Sequence, residues 1–386
     1  MNVSPVAARL LTVSILAAAS SAVTAHAQPA ASARDAVLPA PTGNYGIGVV
    51  ARTVTDPRRR EIFTPDTSDI RRFPVFVYYP AAKGACTPNV FFPPILAEVY
   101  TNEFRFQAGF DRSVRGHACA DAPIVSGTNR FPVIMFSHGL GHTSFSYRSI
   151  IEDLVSHGNI VVAVDHTHGG RGVYFPDGQV VLRDNSRWFT GVDPQRNFQA
   201  SMEYPRFWAE DTRLVIDMIG NTSSSMQRQI QGRADTSRLI YAGHSFGGIT
   251  AVYAAMIDAR IKAAVNLDGL IVGRYPLPVT TDAPLLVLNS KDRNELQTYM
   301  SSARVLPVGR TNHMSFSDFV WLHEKVGMGP PPPSDMAGEQ GIALTRTAIR
   351  LFMPCVFERK CKELDAHIAE IKGPLPPPPP QQRPPA

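Results

Sequence analysis

The pentapeptide Gly243-His244-Ser245-Phe246-Gly247 is a Gly-x-Ser-x-Gly motif, the arrangement that exposes a serine hydroxyl for acyl transfer. Such chemistry needs a histidine to take the serine proton, an acid to orient that histidine, and N–H donors for the oxyanion. Of the eleven histidines, only His313, His323 and His367 follow the motif and a candidate acid. His323 and His367 fall inside predicted helices over 316–326 and 362–371. His313 lies in a loop after the last predicted strand and is taken as the base. Two aspartates, Asp268 and Asp292, end successive strands beyond the serine, and spacing does not rank them. Asp268 directly follows the run Ala264-Val265-Asn266-Leu267, so it should be partly buried, as an acid that fixes a histidine tautomer must be. Asp292 sits in the charged stretch 290–295, where a carboxylate is solvated or paired to its neighbours. Asp268 is therefore taken as the acid. The turn Ser137-His138-Gly139-Leu140-Gly141 and the residue after the nucleophile supply the oxyanion donors, the main-chain N–H groups of Leu140 and Phe246. The bland alternative for that turn is a Gly-rich bend with no ligand.

These residues need a sheet to carry them. The apolar run Leu239–Ala242 enters the motif, and Ile249–Met256 leaves it as a buried helix, which makes strand, sharp turn and helix. The motif alone arises by chance roughly one time in ten in a chain this long, so this context is what gives it weight. Buried strands are predicted at 131–136, 160–164, 261–267, 284–289 and 304–308, with an edge strand at 43–50 and a second strand, bounded by prolines, at 73–80. Helices are predicted at about 147–156, 206–219, 316–326, 342–352 and 362–371. All-apolar strands alternating with helices predict an α/β-hydrolase fold, a mostly parallel central sheet with helices on both faces. Residues 83–129 show no clean period and read as an excursion, either a flap on the core or a wall of substrate access. Residues 169–200 read as a polar loop.

Composition bounds the rest. Thirty-eight basic against 33 acidic side chains leave a net charge of +5, too small and scattered to argue for nucleic acid. Arg58-Arg59-Arg60 and Arg71-Arg72 are the basic clusters, expected to be solvated loops or hairpin faces, with attraction to anionic lipid surfaces as the minor reading. Arg9, the apolar run Leu10–Ala19 and Ala25-His26-Ala27 predict a signal peptide over 1–27, cut after Ala27, and hence a secreted or periplasmic protein. A flexible leader over 28–42, a catalytic domain over 43–372 and an unpacked Pro-rich tail over 373–386 complete the expected organisation. Four cysteines in an oxidising compartment suggest two disulfides; local loops favour Cys86 with Cys119 and Cys355 with Cys361, the latter only if the helix breaks between them. Asp165-His166-Thr167-His168 looks like a metal site, but suits hydrogen bonding beside a pocket equally well, and no further ligand set accompanies it. No metal and no cofactor is expected.

With these residues placed, the chain resembles the plasma and type II platelet-activating-factor acetylhydrolases. The resemblance is carried by Gly43-x-Tyr45-x-x-Gly48, Tyr78-Tyr79-Pro80, Phe136–Gly141, Ser156-His157-Gly158 and Gly243–Gly248. Leu267-Asp268-Gly269, Asn289-Ser290, and His313 with Asp318-Phe319 complete it, in family order across residues 43–322. It implies Ser245, Asp268 and His313 as a triad, Leu140 and Phe246 as oxyanion donors, and calcium-independent cleavage of short or oxidised acyl chains from phospholipids. It also implies an ester or phospholipid partner, met in transient contact with a membrane or lipoprotein surface. Two other readings remain: a cutinase-like or polyester-degrading carboxylesterase, and a non-catalytic binding protein on a hydrolase scaffold.

Overall fold

A computed structural model describes residues 36–84, 92–184, 194–221, 223–269, 281–290, 303–329 and 334–372. The expected signal segment with its Ala27 cleavage site, Cys86, Asp292 and the Pro-rich tail lie outside the described residues.

The chain enters on β1 (Ala36–Val37) and a long hairpin of β2 (Gly46–Arg60) and β3 (Ile70–Ala81). α1 (Pro94–Phe104), α2 (Phe110–Ser113), β4 (Val114–Arg115) and β5 (Cys119–Ala120) follow. Next come β6 (Phe131–Ser137), α3 (Arg148–Ser156), β7 (Ile160–Val164), β8 (Gly172–Tyr174), β9 (Val180–Leu182), α4 (Pro194–Gly220) and α5 (Ser225–Gln229). The Ser245 turn joins β10 (Ala234–His244) to α6 (Phe246–Ile257). β11 (Ala263–Leu267), β12 (Leu285–Ser290), β13 (Ala303–Val308), α7 (Phe319–Val326), α8 (Gly338–Glu358) and α9 (Lys362–Lys372) finish the described chain.

The apolar runs become one nine-stranded sheet in the order β13-β12-β11-β10-β6-β7-β3-β2-β5. β6, β7 and β10 to β13 pair in parallel, while β3 runs antiparallel to both β7 and β2. Alternate residues feed two cores. Ile134, Phe136, Ile240 and Ala242 pack with Ile150 and Leu154 of α3 and Ile342 and Phe352 of α8. Val133, Met135, Leu239 and Tyr241 pack on the opposite face with Val215 of α4 and Val252 of α6. Covering both faces is what lets these strands be apolar throughout. The parallel strands all end on one edge, where Ser137, Asp165, Ser245 and Asp268 stand at or just past strand ends.

Three expectations are corrected. The leader is not flexible throughout: Ala36–Val37 pairs with Val114–Arg115, Leu38 is buried, and the Thr42 N–H and hydroxyl both donate to Asp153 at 2.7 and 2.9 Å. Residues 169–200 contain the β8–β9 hairpin and the start of α4, whose first residue is Pro194 rather than Arg206. A proline at a helix start was the available signal. Within 83–129, Pro94 likewise opens α1, which buries Leu96, Ala97 and Tyr100. The predicted break before Cys361 is present: Arg359 turns left-handed at φ 58°, and Cys355 and Cys361 are disulfide-bonded with Cα atoms 4.2 Å apart. Cys119 is also disulfide-bonded.

The third correction concerns the arginines. Arg71 is fully buried, and Asp211 accepts from its Nε at 3.1 Å and its Nη2 at 2.6 Å. Its Nη1 donates to Glu61 at 2.6 Å and to the Thr167 carbonyl at 3.1 Å. Arg59 Nη2 also donates to Asp211 Oδ1, at 2.6 Å, sharing that oxygen with Arg71 Nε. Burial alone would raise the Asp211 pKa, but the Arg71 guanidinium beside it holds the carboxyl well below the usual range. A second pair of acids anchors the helix that follows β6. Asp165 accepts the Ser144 N–H at 2.7 Å and Asp318 accepts the Ser149 N–H at 3.0 Å. The other oxygen of each has no partner among the described residues, and burial pushes both carboxyls up to about 7.

Removing one partner of a buried ion pair leaves the other charge uncompensated. Asp211→Asn should therefore destabilise the fold by about 3–5 kcal/mol, against less than about 0.5 kcal/mol for exposed Arg58→Ala. Equal urea midpoints for the two variants would refute this. Asp318 carries the opposite sign. Its raised folded-state pKa means the native state holds a proton that the unfolded chain has lost, so its contribution to stability declines as pH rises from about 4 to 7. The stability of Asp318→Asn relative to the parent should rise across that window, and a difference independent of pH would contradict it.

Candidate active site

A sharp turn joins β10 to α6. Ser245 has φ 52° and ψ −117°, a region that a side-chain-bearing residue occupies only under constraint. The constraint is close packing. A Cβ on Gly243 would run into the Gly247 carbonyl, and one on Gly247 would meet the Ser137 and His138 carbonyls. Glycine at both positions lets α6 start against the ends of β10 and β6.

His313 opens a short 3-10 turn over His313–Phe316, held by Asn312, which caps the Met314 N–H at 2.8 Å. Its Nε2 lies 2.9 Å from Ser245 Oγ, and its Nδ1 lies 2.6 Å from Asp268 Oδ2. Asp268 is fully buried at φ 55° and accepts the Ser290 N–H at 2.7 Å and the Ser290 hydroxyl at 3.0 Å. Ser290 ends β12, so the neighbouring strand fixes the carboxylate. Ser245 and His313 remain half-buried, open to a substrate, while the carboxylate below them is sealed. Asp292, the other acid considered, is outside the described residues.

The turn after β6 lies against this line. A Cβ on Gly139 would stand 3.3 Å from the Ser245 Cβ. The Gly139 amide donates to Tyr147 Oη at 3.0 Å, and the Gly141 amide donates to the Gly169 carbonyl at 2.8 Å. Leu140 lies between these two anchored glycines. Phe246 opens α6, where first-turn amides have no partner within the helix and the dipole is positive.

Two residues not singled out from sequence tie these parts together. His244 Nε2 bonds the His313 carbonyl at 2.7 Å, and its Nδ1 bonds Tyr147 Oη at 2.7 Å. A carbonyl only accepts, so Nε2 carries the hydrogen. Pairing every donor then has Tyr147 O–H donating to Nδ1 while accepting from Gly139. The turn after β6 and His313 are joined through this chain.

A second Ser–His–Asp line runs beneath the first. Ser137 Oγ lies 2.8 Å from His166 Nε2, whose Nδ1 bonds Asp211 at 2.8 Å. All three are fully buried, Trp208 stacks on the His166 ring at 4.1 Å, and Tyr241 Oη closes on Ser137 at 2.5 Å. Burial lowers His166 to about 4, and no carbonyl could reach the hydroxyl. The His166 main-chain N–H donates to His138 Nε2 at 3.0 Å, so this array supports the turn after β6. Asp165, His166 and His168 do not converge on a common point of ligation, and no group of three metal-binding side chains occurs among the described residues.

The family described as platelet-activating factor acetylhydrolase, isoform II, matches residues 99–189 and 213–326. The chain is 26% identical over 243 residues to a platelet-activating factor acetylhydrolase of Cavia porcellus, covering 55% of this chain and 54% of that one. It is 30% identical to the Bos taurus protein of that name, covering 51% and 50%. A probable 1-alkyl-2-acetylglycerophosphocholine esterase of Arthroderma benhamiae is 27% identical, covering 61% and 60%. The chain thus spans about half the length of the curated relatives it matches. Among solved structures, a ferulic acid esterase from Streptomyces cinnamoneus superposes with TM-score 0.72 at 25% identity, covering 84% of this chain and 94% of that one. The sheet order and the Ser245 turn are those of an α/β-hydrolase, and within that fold the chain belongs to the platelet-activating factor acetylhydrolase, isoform II, family.

Proposed function

We propose that the chain is a serine carboxylic-ester hydrolase working through an acyl-enzyme, with Ser245 as nucleophile, His313 as base and Asp268 as the acid that orients it. One observation carries the reading: the continuous line from Ser245 Oγ through His313 to Asp268, at 2.9 and 2.6 Å, on an accessible strand edge. His313 Nε2 takes the hydroxyl proton as Oγ bonds to the ester carbon, and the carbonyl electron pair moves onto oxygen beside the Leu140 and Phe246 amides. Collapse breaks the bond to the alcohol, which leaves with the proton from His313. Water then attacks the acyl-enzyme, again losing its proton to His313, and the acid departs as Ser245 recovers its hydrogen. Asp268 holds the ring and stabilises the imidazolium formed in each half.

The names of the relatives support a short acyl ester of the 1-alkyl-2-acetylglycerophosphocholine type as substrate. The Cys355–Cys361 disulfide supports export to an oxidising compartment, as the 1–27 segment would direct. A second reading has its own observation. Phe63, Trp208 and Phe246 cluster with Leu140, Tyr204 and Phe207 beside the nucleophile, a wall suited to bulkier acyl groups, and the structural neighbour is a ferulic acid esterase. Turnover of a short-chain phospholipid, p-nitrophenyl esters, methyl ferulate and polyester film separates this cutinase-like alternative from the first.

Ser245→Ala should lose about six orders of magnitude in turnover, and a fluorophosphonate probe should label Ser245 in the parent. Ser137→Ala, in the buried array, should keep turnover within about tenfold because its hydroxyl meets no substrate. The opposite ranking would move the nucleophile. Asp268→Asn should lower turnover by roughly four orders with folding retained. Activity near that of the parent would remove Asp268 from the site and return attention to Asp292.

A further inference from the structure

Gly141 closes the oxyanion turn at φ +88°, and two arginines crowd its outer face. A Cβ there would stand 3.7 Å from Arg171 Nε and 3.8 Å from Arg183 Nη1. Their placement is built into the backbone. The Arg171 N–H donates to the Gly141 carbonyl at 3.3 Å, and the Arg183 N–H donates to the Arg171 carbonyl at 3.1 Å. Both therefore move with the turn. Arg171 Nη1 reaches Glu103 of α1 at 3.2 Å, an acid that is itself 42% exposed. Its Nε is buried and has no hydrogen-bond partner among the described residues. Burial, and then the charge of Arg171, push Arg183 down to about 10.

The charge of Arg171 disfavours that of Arg183, against the opposing pull of Glu103, and an oxygen-rich anion between the two guanidinium groups would add charge-assisted bonds to both. The pair is also close to the chemistry. Gly141 follows Leu140 directly, and the two residues from Gly139 to Gly141 span at most about 7 Å. An ester whose carbonyl sits at Leu140 would therefore bring a substituent a few bonds away to the arginines.

We propose that Arg171 and Arg183 form a subsite for an anionic group carried by the substrate, a phosphoryl or carboxylate oxygen cluster next to the scissile ester. The proposal rests on the esterase reading and narrows its substrate class to esters bearing such a charge. Phosphodiester and carboxylate share the recognition chemistry, and the assay separates them.

The test compares kcat/KM for 1-alkyl-2-acetylglycerophosphocholine, for the acetyl ester of a neutral alkylglycerol, and for p-nitrophenyl hemisuccinate against p-nitrophenyl acetate. In the parent, one charged member should be preferred over its neutral counterpart. In Arg171→Gln and Arg183→Gln, that charged-to-neutral ratio should fall about 10- to 100-fold, chiefly through KM, while Arg183→Lys keeps most of it. The phosphodiester pair responding alone assigns a phosphoryl group, and the hemisuccinate pair responding alone assigns a carboxylate. A ratio unchanged within about twofold in both pairs overturns the subsite, as does equal loss on charged and neutral esters, which is a structural effect on the turn. Calorimetric binding of glycerophosphocholine and of succinate to Ser245→Ala, with and without Arg171→Gln, reads the subsite without turnover. Heat that persists unchanged after the arginine is replaced overturns the proposal. A parent that hydrolyses none of these esters refutes the esterase reading instead, and the calorimetry still decides the subsite.

Discussion

The first turn of α6 lies so close to its neighbours that only glycine fits at positions 247 and 248, and the segments carrying Leu140 and Asp268 both press on that contact. Gly247 abuts the carbonyls of Ser137 and His138, which fixes the turn carrying Leu140. On the other side, Gly248 abuts the Asn266 side chain, whose Oδ1 accepts the Gly269 N–H at 2.7 Å and so locks the backbone just past Asp268. One helix end thus gauges the distance to the donor turn and to the acid together. Strain at Ser245 is sustained because the sheet on both sides over-determines it. An added methyl group at Gly247 or Gly248 would push against backbone or a bonded amide, with no flexible side chain to yield.

The two Ser–His–Asp lines show how little residue type says about role. Both have bonds under 3 Å and both run from a strand end to a carboxylate. Ser245 stands on a strained bend beside a half-exposed ring, whereas Ser137 is the last residue of a regular strand under an indole. Asp268 is held by neutral donors from Ser290, while Asp211 is held by two arginines, Arg59 and Arg71. The first arrangement leaves its histidine half-exposed; the second buries its imidazole, which lowers its pKa, and serves as a foundation.

Ser245 and its helix were legible because an elbow is a local device, written in five consecutive residues and the apolar runs beside them. The strands were legible because burial on both faces leaves an unbroken apolar signature. His313 and Asp268 could be singled out by strand ends and by the resemblance. The arginines were not legible. Arg71 lies 140 residues from Asp211, and a basic pair in sequence looks the same whether it meets water or a distant carboxylate. Tyr147 and His244 escaped for a related reason, since one appeared as a helix-start aromatic and the other as the variable position of a motif. Their roles exist only when three separate segments meet.

The chain through His244 has an electrostatic consequence. Its ring centre is 4.6 Å from that of His313, close enough that two cationic rings would repel strongly. The hydrogen-bond directions leave His244 one N–H, directed at a carbonyl, and one lone pair, occupied by Tyr147. Both nitrogens of the ring beside His313 are thus engaged in hydrogen bonds. When positive charge develops on His313, it faces an uncharged aromatic neighbour on that side and the Asp268 carboxylate on the other. In the proposed reaction, the Asp268 carboxylate would thus stabilise the His313 imidazolium from the Nδ1 side, while the proton on Nε2 faces Ser245 Oγ.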